Sequence, residues 1–260
     1  MGKYVHGTDA AEQERLRKLN ELTNPPFLKF LHLSPHDHVL EVGSGLGILA
    51  SQVAEIAAHG RVVGVEYSMQ QLAEVNVGRP NLEFIRGDAH SLPFADNTFD
   101  VVYCRYLLEH VSDAQSVVCE MYRVLKPGGR VCVQENDIAV FQLYPDCPVW
   151  GELWTKFGEV QEKLGGDAYV GRKLLTLFRS GGFGRVELSL HPEFHYAGME
   201  TFELWIRNAL LILETSGPDL VAHGFATPEQ LKTARVEIEK FLTLPDAASY
   251  FYWNRAEARK

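Results

Sequence analysis

The stretch Val39-Leu-Glu-Val-Gly-Ser-Gly-Leu-Gly47 decides the fold of this chain. Its first four residues have the apolar character of a buried strand, three glycines follow at alternate positions, and a helical pattern runs from Ile48 to Ala58. Glycine lets the backbone pass close to a ligand, and the first N–H groups of a helix are unpaired and partly positive. We therefore predict a nucleotide- or anion-binding turn between a strand and a helix.

The spacing of the glycines narrows the choice of ligand. A dinucleotide fingerprint has Gly-x-Gly-x-x-Gly, whereas the run here, Gly43-x-Gly45-x-Gly47, is one residue shorter. A second apolar strand over 61–66 ends in Glu66, which is placed to accept hydrogen bonds from two ribose hydroxyls. Further apolar segments follow, and they alternate with helical patterns through residue 135: 81–89, 99–104 and 129–135. This alternation predicts an α/β fold with a doubly wound, parallel sheet.

An ordered set of segments carries a family resemblance. Residues 36–135, about 40% of the chain, resemble the class I S-adenosylmethionine-dependent methyltransferases, and among them the group typified by the ubiquinone and menaquinone biosynthesis C-methyltransferases. The matching segments are Glu-Val-Gly-Ser-Gly-Leu-Gly, Val-Glu-Tyr-Ser, Gly-Asp-Ala, Leu-Pro-Phe-Ala-Asp-Asn-Thr-Phe-Asp, Leu-Leu-Glu-His and Leu-Lys-Pro-Gly-Gly. The resemblance implies a Rossmann-like, mostly parallel, seven-stranded sheet with an antiparallel last strand. It also implies S-adenosyl-L-methionine as cofactor and S-adenosyl-L-homocysteine as product.

The resemblance also implies which residues hold the cofactor. Gly43, Ser44 and Gly45 are expected to approach its methionine part, within a turn that Gly47 completes. Glu41 is expected to bind the ammonium through water, although it is equally a strand residue packed at the sheet end. The remaining expected contacts are with the ribose through Glu66, with the adenine face through Tyr67, and with the adenine edge through Asp88 and the N–H of Ala89.

Arg105 follows the fourth strand, at the switch point where open α/β sheets bind ligands. Many relatives carry a small or apolar residue there. Arg105 is therefore a candidate partner for a carboxylate of the cofactor or of the acceptor, with a surface salt bridge as the alternative.

The residues that act on the acceptor are harder to predict. Transfer requires the nucleophile, the methyl group and the sulfur to lie in line, with water excluded. Our candidate catalytic residues are Glu135 and Asp137, which lie just past the fifth strand, and His195; loop capping is the alternative for the two acids. Candidates to line the acceptor pocket are Tyr4, His6, His110 and Tyr169, although His110 is also typical of a helix residue bonded to backbone.

Composition excludes several classes of function. The net charge of −9 opposes a polyanionic partner such as nucleic acid. No apolar run approaches the roughly 20 residues of a membrane-spanning helix, and the polar first residues do not indicate a secretory signal. The four cysteines form no Cys-x-x-Cys pair, which argues against a zinc site. We expect a cytoplasmic protein without a metal, and the oligomeric state stays open.

The remaining segments indicate a cap over one domain. We expect a single domain over 1–260, with a helical cap over 1–35, a cofactor core over 36–135, cap insertions over 136–171 and 192–248, and final strands over 183–191 and 249–254. Asn24-Pro-Pro-Phe27 is predicted to end one helix and start another. It resembles a motif of adenine and glutamine N-methyltransferases, but that motif follows the fourth strand and this one precedes the first.

The sequence thus predicts methyl transfer to a small-molecule acceptor. A protein or peptide acceptor is the alternative within the class, and a cofactor-binding protein without transfer activity is the alternative outside it. A nicotinamide dehydrogenase is disfavoured by the glycine spacing.

Overall fold

The computed structural model describes residues 10–75 and 78–260, so the candidates Tyr4 and His6 lie outside the described residues. These ranges form one mixed sheet with helices on both faces. Its parallel strands are β1 (His38–Val42), β2 (Arg61–Glu66), β3 (Leu82–Arg86), β4 (Phe99–Arg105) and β5 (Leu125–Glu135). The antiparallel strands are β6 (Gln142–Tyr144), β7 (Val186–Tyr196) and β8 (Ala248–Arg259). The predicted fold class is confirmed.

The strand order is β3-β2-β1-β4-β5-β8, with β6 and β7 both paired to β8. The order reverses between β1 and β4. The carboxyl ends of these two strands separate at that point, which is where ligands bind in such sheets.

The helices are α1 (Ala10–Leu31), α2 (Ile48–Ile56), α3 (Met69–Ala73), α4 (Ala114–Val124), α5 (Pro148–Lys163), α6 (Leu174–Ser180), α7 (Phe202–Ala222) and α8 (Pro228–Phe241).

Three hydrophobic cores hold these elements together. One lies between the sheet and α1 and α2, and a second lies on the opposite face under α4 and α6; both consist mainly of valine, leucine and alanine. Buried β-branched runs of this kind are typical of parallel strands covered on both faces. The third core lies between α5, α7, α8 and β8 and is rich in tryptophan and phenylalanine. We call α5, α7 and α8 the cap.

Helix α1 corrects one prediction. It runs without a break through Pro25 and Pro26, so the predicted stop at Asn24-Pro-Pro was wrong. Contacts with the rest of the protein stabilise the continuous helix around the two prolines. Asn24 is buried and donates from Nδ2 to Gln52 Oε1 at 2.6 Å, and Phe27 is fully buried beneath the helix. Tertiary packing overrides the local preference of proline here.

The end of the sheet also differs from the prediction. β7 begins at Val186 and reaches Tyr196, and β8 runs on to Arg259, because the two strands pair continuously from Val186 to Tyr196. The segment after β5, predicted as the start of a cap insertion, contains a short 3-10 turn (Ile138–Val140) and the added strand β6. Thr227 and Gln230 form a capping box at the start of α8.

No helix within the described ranges is long and apolar enough to cross a membrane. Within the same ranges, no three His, Cys, Asp or Glu side chains come together as ligands of a metal ion would.

Candidate active site

The glycine turn after β1 has a backbone that only glycine adopts easily. Gly43, Gly45 and Gly47 have φ angles of 76°, 53° and 71°, all in the left-handed region. A Cβ atom on Gly47 would lie 2.5 Å from Cζ of Phe84, and one on Gly43 would lie 2.9 Å from Cδ1 of Leu107. Backbone conformation therefore favours glycine at all three positions, and space favours it at Gly43 and Gly47 as well.

Glu66 joins this turn to the end of β2. Its Oε2 accepts a hydrogen bond from the Gly45 N–H at 2.9 Å, and its Oε1 accepts one from the Ser68 N–H at 2.8 Å. Ser68 in turn caps α3 by accepting from the Gln71 N–H. Each carboxylate oxygen has a second lone pair, so Glu66 can accept two further hydrogen bonds from a ligand.

A cavity of about 600 Å³ opens above these residues. This is within the size range of small-molecule sites, about 300–1,000 Å³. One wall consists of the glycine turn and the end of β2, and the opposite wall comes from α1, the cap and β8. The residues that line the cavity include Asn20, Glu41, Gly43, Ser44, Gly45, Glu66, Tyr67, Arg105, Tyr106, Glu109, His110, Asn136, Trp154, Phe157, Asn208, Ile212 and Trp253.

Two polar groups of the first wall lack hydrogen-bond partners. Glu41 Oε2 and Ser44 Oγ are buried, and neither makes a hydrogen bond within the described chain. Burial raises the pKa of Glu41 to about 8, against the opposing effect of the nearby Arg105 charge. A buried carboxyl and a buried hydroxyl without partners are costly unless a ligand satisfies them.

Arg105 connects the cavity to α1. Its guanidinium donates to Thr23 Oγ1 at 3.1 Å, to Asn24 Oδ1 at 2.5 Å and to Asn20 Oδ1. It also lies over the Tyr106 ring, 5.0 Å from the ring centroid. The guanidinium is thus engaged by α1, and a contact with a ligand carboxylate stays a prediction.

The next residue, Tyr106, has a φ of 55°, which is unusual for a residue with a side chain. This turn directs the ring against Trp253, with ring centroids 4.4 Å apart, and the Tyr106 hydroxyl accepts from Gln134 Nε2 at 2.8 Å. Backbone strain of this kind concentrates at functional sites.

A polar cluster lies at the far end of the cavity. Glu109 is buried, and its Oε2 accepts from Gln161 Nε2 at 3.2 Å and from Asn136 Nδ2 at 3.4 Å. Oε1 of Glu109 lies 3.9 Å from His110 Nε2, beyond hydrogen-bond distance, and makes no hydrogen bond among the described residues. Asn136 Oδ1 is likewise buried without a partner in the described ranges. The cluster therefore presents acceptor oxygens to the cavity.

The structure places the predicted catalytic acids outside this cavity. Glu135 is fully buried, and its Oε1 accepts from the N–H groups of Leu107 and Leu108 at 3.0 and 2.9 Å. Burial raises the pKa of Glu135 to about 8. Asp137 binds Arg172 through both carboxylate oxygens and caps the 3-10 turn after β5. Both acids hold the loops around the site in place, and a direct role stays a prediction.

His195 and Tyr169 also lie away from the cavity lining. His195 lies on β7, and its ring is buried against the start of α7. There Nδ1 lies 2.9 Å from Thr201 Oγ1 and the ring stacks on Trp205. Tyr169 lies beside Arg172, whose guanidinium is 4.9 Å from the ring centroid. Of the described residues predicted to act on the acceptor, His110 alone lines the cavity.

The predicted adenine contacts lie at the end of β3, beside the cavity lining rather than in it. Asp88 Oδ1 accepts from the His90 N–H at 2.9 Å and lies 2.7 Å from His90 Nδ1. The backbone hydrogen bond from His90 lowers the pKa of Asp88. Ala89 is buried in the core under α4 and α6. The contacts of Asp88 and of the Ala89 N–H with adenine therefore stay predictions.

Several lining residues were not predicted from the sequence. Glu109 precedes His110 in Leu-Leu-Glu-His, a segment in which only the histidine was singled out. Trp154 and Phe157 lie on one side of α5 in the sequence pattern, but the pattern does not tell which core or cavity that side faces. Asn208 of α7 and Trp253 of β8 reach the cavity from segments outside the resemblance.

Comparisons with known proteins agree with this geometry. A family profile described as a methyltransferase domain matches residues 40–133. A ubiquinone/menaquinone biosynthesis C-methyltransferase, UbiE, from Desulfotalea psychrophila is 34% identical over 159 residues, which cover 56% of this chain and 65% of that protein. A demethylmenaquinone methyltransferase from Lactococcus lactis is 32% identical over 171 residues, which cover 59% of this chain and 68% of that protein. The chain thus spans about two thirds of the length of these curated relatives.

Solved structures show the same fold. The YcgJ protein from Bacillus subtilis superposes with a TM-score of 0.61 at 18% identity, covering 92% of this chain and 99% of that chain. A phosphoethanolamine N-methyltransferase from Haemonchus contortus, solved with phosphomonomethylethanolamine and S-adenosylhomocysteine, superposes with a TM-score of 0.58 at 20% identity, covering 91% and 52%. Since the family profile spans β1 to β5 and the Lactococcus lactis relative is 32% identical across 68% of its own length, this chain belongs to the class I S-adenosylmethionine-dependent methyltransferases.

Proposed function

We propose that this chain transfers a methyl group from S-adenosylmethionine to a small-molecule acceptor. One observation carries the proposal: a single cavity has the glycine turn and Glu66 on one wall and aromatic side chains of the cap and β8 on the other. Such a cavity accommodates a nucleoside cofactor and an acceptor side by side. The names of the curated relatives describe small-molecule biosynthesis for those proteins.

The residues of the first wall fit the cofactor. A Cβ atom at Gly43 or Gly47 would meet the side chain of Leu107 or Phe84, so glycine lets the turn pack closely against its neighbours while its backbone borders the cavity. Glu41 Oε2 and Ser44 Oγ are the unpartnered groups that would meet the polar methionine end. Glu66 has free lone pairs for the ribose hydroxyls. Bound there, S-adenosylmethionine supplies an electrophilic methyl group on a sulfonium, which an in-line nucleophile displaces.

Glu109 is the group that we assign to receive the acceptor's proton. Its carboxylate is oriented by Gln161 and Asn136, its second oxygen lies 3.9 Å from His110 Nε2, and the residue lines the cavity. The acceptor X–H bond breaks, its electron pair forms the X–CH₃ bond, and the proton passes to Glu109 Oε1. The sulfur keeps the electron pair of the broken S–C bond and becomes a neutral thioether. A general base must lie within hydrogen-bond reach of the proton it takes.

The charges of the cavity limit the acceptor. Among the described lining residues, Arg105 is the one lysine or arginine, and three side chains of α1 already accept hydrogen bonds from it. The acids Glu66 and Glu109 face the same space. An acceptor with a carboxylate or phosphate would therefore be buried without a counter-charge, at a cost of several kcal/mol. We propose an acceptor that is neutral or cationic, with an apolar body against Trp154, Phe157 and Trp253.

The test follows a labelled methyl group. The purified chain is incubated with S-adenosylmethionine carrying a ¹⁴C-methyl group and with a cell extract divided into low-mass and protein fractions. We expect label in an organic-soluble compound of low mass, reduced at least about tenfold for Glu109→Gln. Label in protein would contradict the small-molecule acceptor. Binding of S-adenosylhomocysteine without transfer to either fraction would favour a protein that binds the cofactor without catalysis.

A further inference from the structure

Strand β7 has an alternating sequence along its whole length. From Val186 to Tyr196 it reads Val-Glu-Leu-Ser-Leu-His-Pro-Glu-Phe-His-Tyr, with an apolar residue at every even position and a polar residue at every odd one. Successive side chains of a strand point to opposite faces, so β7 has one apolar face and one polar face. In an ordinary edge strand, the apolar face is the buried one.

The structure shows the reverse arrangement. From His191 to His195 the polar face turns toward the cap, where His195 is buried between Thr201 and Trp205 and Glu193 Oε1 accepts from Trp253 Nε1 at 3.0 Å; Glu187 and Ser189 are exposed. Beyond Val186, which packs against the core of α4 and α6, the apolar face turns toward solvent. Leu188, Leu190, Phe194 and Tyr196 are 53%, 58%, 54% and 55% exposed.

Neighbouring strands extend this apolar surface. Tyr250 of β8 pairs with Phe194 and is 46% exposed, with the two ring centroids 5.9 Å apart. Tyr144 of β6 pairs with the same residue of β8 as Tyr196 does, and it is 63% exposed. Paired residues of adjacent strands share a face. We call this surface the outer β7 face: Tyr144, Leu188, Leu190, Phe194, Tyr196 and Tyr250.

The outer β7 face is large and uncharged. Six bulky side chains, each about half exposed, present on the order of 700 Å², whereas monomers rarely expose a contiguous apolar patch above a few hundred Å². A stable interface buries about 800 Å² per partner. The acidic residues of β7, Glu187 and Glu193, lie at odd positions and therefore on the opposite face of the strand. The area therefore matches one side of a standard protein interface.

We propose that the outer β7 face packs against the same face of a second copy, so that the protein is a homodimer. A two-fold interface brings one patch onto itself, and an uncharged apolar patch is self-complementary. Two sheets stack face to face at about 10 Å with interdigitating side chains, which suits bulky residues at alternate positions. A lipid membrane is the alternative partner for an apolar face. The net charge of −9 opposes binding to a membrane that contains anionic lipids.

The proposal is tested by sedimentation equilibrium of the full chain at micromolar concentration. We expect twice the chain mass of 29.3 kDa for the unmodified protein. The double variant Leu190→Lys, Phe194→Lys puts four like charges into the interface, and we expect dimer affinity to fall at least about 100-fold. The matched control is Val236→Lys, since Val236 is 62% exposed on α8, away from β7, and that variant should stay dimeric.

Binding of S-adenosylhomocysteine to each variant shows that the fold is intact, because none of these side chains lines the cavity. Three results would overturn the proposal: a monomeric unmodified chain, a dimer that survives both lysines on β7, or equal dissociation of the Val236 control. A monomer that binds phosphatidylcholine vesicles through the same residues would assign the face to a lipid surface instead. A failure of methyl transfer would leave these results unchanged, so the two proposals fail separately.

Discussion

The two walls of the cavity are built by different means. The wall formed by β1, β2 and the glycine turn depends on backbone: left-handed φ angles, N–H groups bonded to Val65 O, and one carboxylate at a strand end. The wall formed by the cap depends on bulky side chains, such as Trp154, Phe157 and Trp253, packed against other aromatic rings. A wall made of backbone suits a cofactor that is the same in every enzyme of this class. A wall made of side chains suits an acceptor that differs from one enzyme to another.

The largest expected effect is the loss of stability when a left-handed glycine of the glycine turn is replaced by alanine. Gly47→Ala forces a side chain into the left-handed region and against Phe84, where a Cβ would lie 2.5 Å from Cζ. We expect a loss of about 3 kcal/mol in the free energy of unfolding, measured with urea. Gly224→Ala in the cap is the matched control, with a φ of 75° and no atom within 4 Å, and should cost about 1 kcal/mol. Equal losses would show that space at the turn is unimportant.

The second prediction concerns Glu135, the buried acid at the end of β5. The native pKa of Glu135 is about 8, against 4.5 for an unperturbed glutamate, so the native state keeps a proton that the unfolded state has already lost. The contribution of Glu135 to the free energy of unfolding is therefore fully present below about pH 4.5, has fallen by about 3 kcal/mol at pH 7, and is lost above about pH 8. Glu135→Gln keeps a neutral acceptor for the Leu107 and Leu108 N–H groups and should remove this fall. A parallel pH dependence in urea unfolding of both proteins would contradict the assignment.

The third prediction concerns the connection between the sheet and α1. Arg105→Ala removes the donors to Asn20, Thr23 and Asn24 and leaves buried Asn24 with one partner fewer. We expect a loss of about 2 kcal/mol in stability. We also expect a larger effect on acceptor KM than on cofactor affinity, because α1 contributes to the acceptor wall. A loss confined to cofactor affinity, measured by calorimetry, would reverse this assignment.

The smallest effect is expected at the acceptor wall itself. Trp253→Phe keeps an aromatic ring but removes the indole N–H that donates to Glu193. We expect a loss of about 1 kcal/mol in stability and a changed acceptor KM, with unchanged affinity for S-adenosylhomocysteine. A weakened cofactor complex would show that the two walls do not divide the ligands as proposed.

The same contrast explains what the sequence predicts. The glycine spacing and Glu66 are local signals, since left-handed backbone and a strand-end acid are visible in a few residues, and the structure brings them together on one wall. The continuity of α1 through Pro25 and Pro26 was missed, because it depends on Arg105 and Gln52, far away in sequence. Glu109 and Trp253 were missed for a similar reason: their roles arise from which neighbours pack around them.

The central claim is that the glycine turn and Glu66 hold S-adenosylmethionine. Calorimetric titration of the chain and of Glu66→Ala with S-adenosylhomocysteine tests it most directly, with NAD as the competing ligand. We predict one site per chain and a loss of about 1.5–3 kcal/mol in binding free energy for the variant, the scale of lost charge-assisted hydrogen bonds. An unchanged dissociation constant for Glu66→Ala, or binding of NAD in place of S-adenosylhomocysteine, would contradict it.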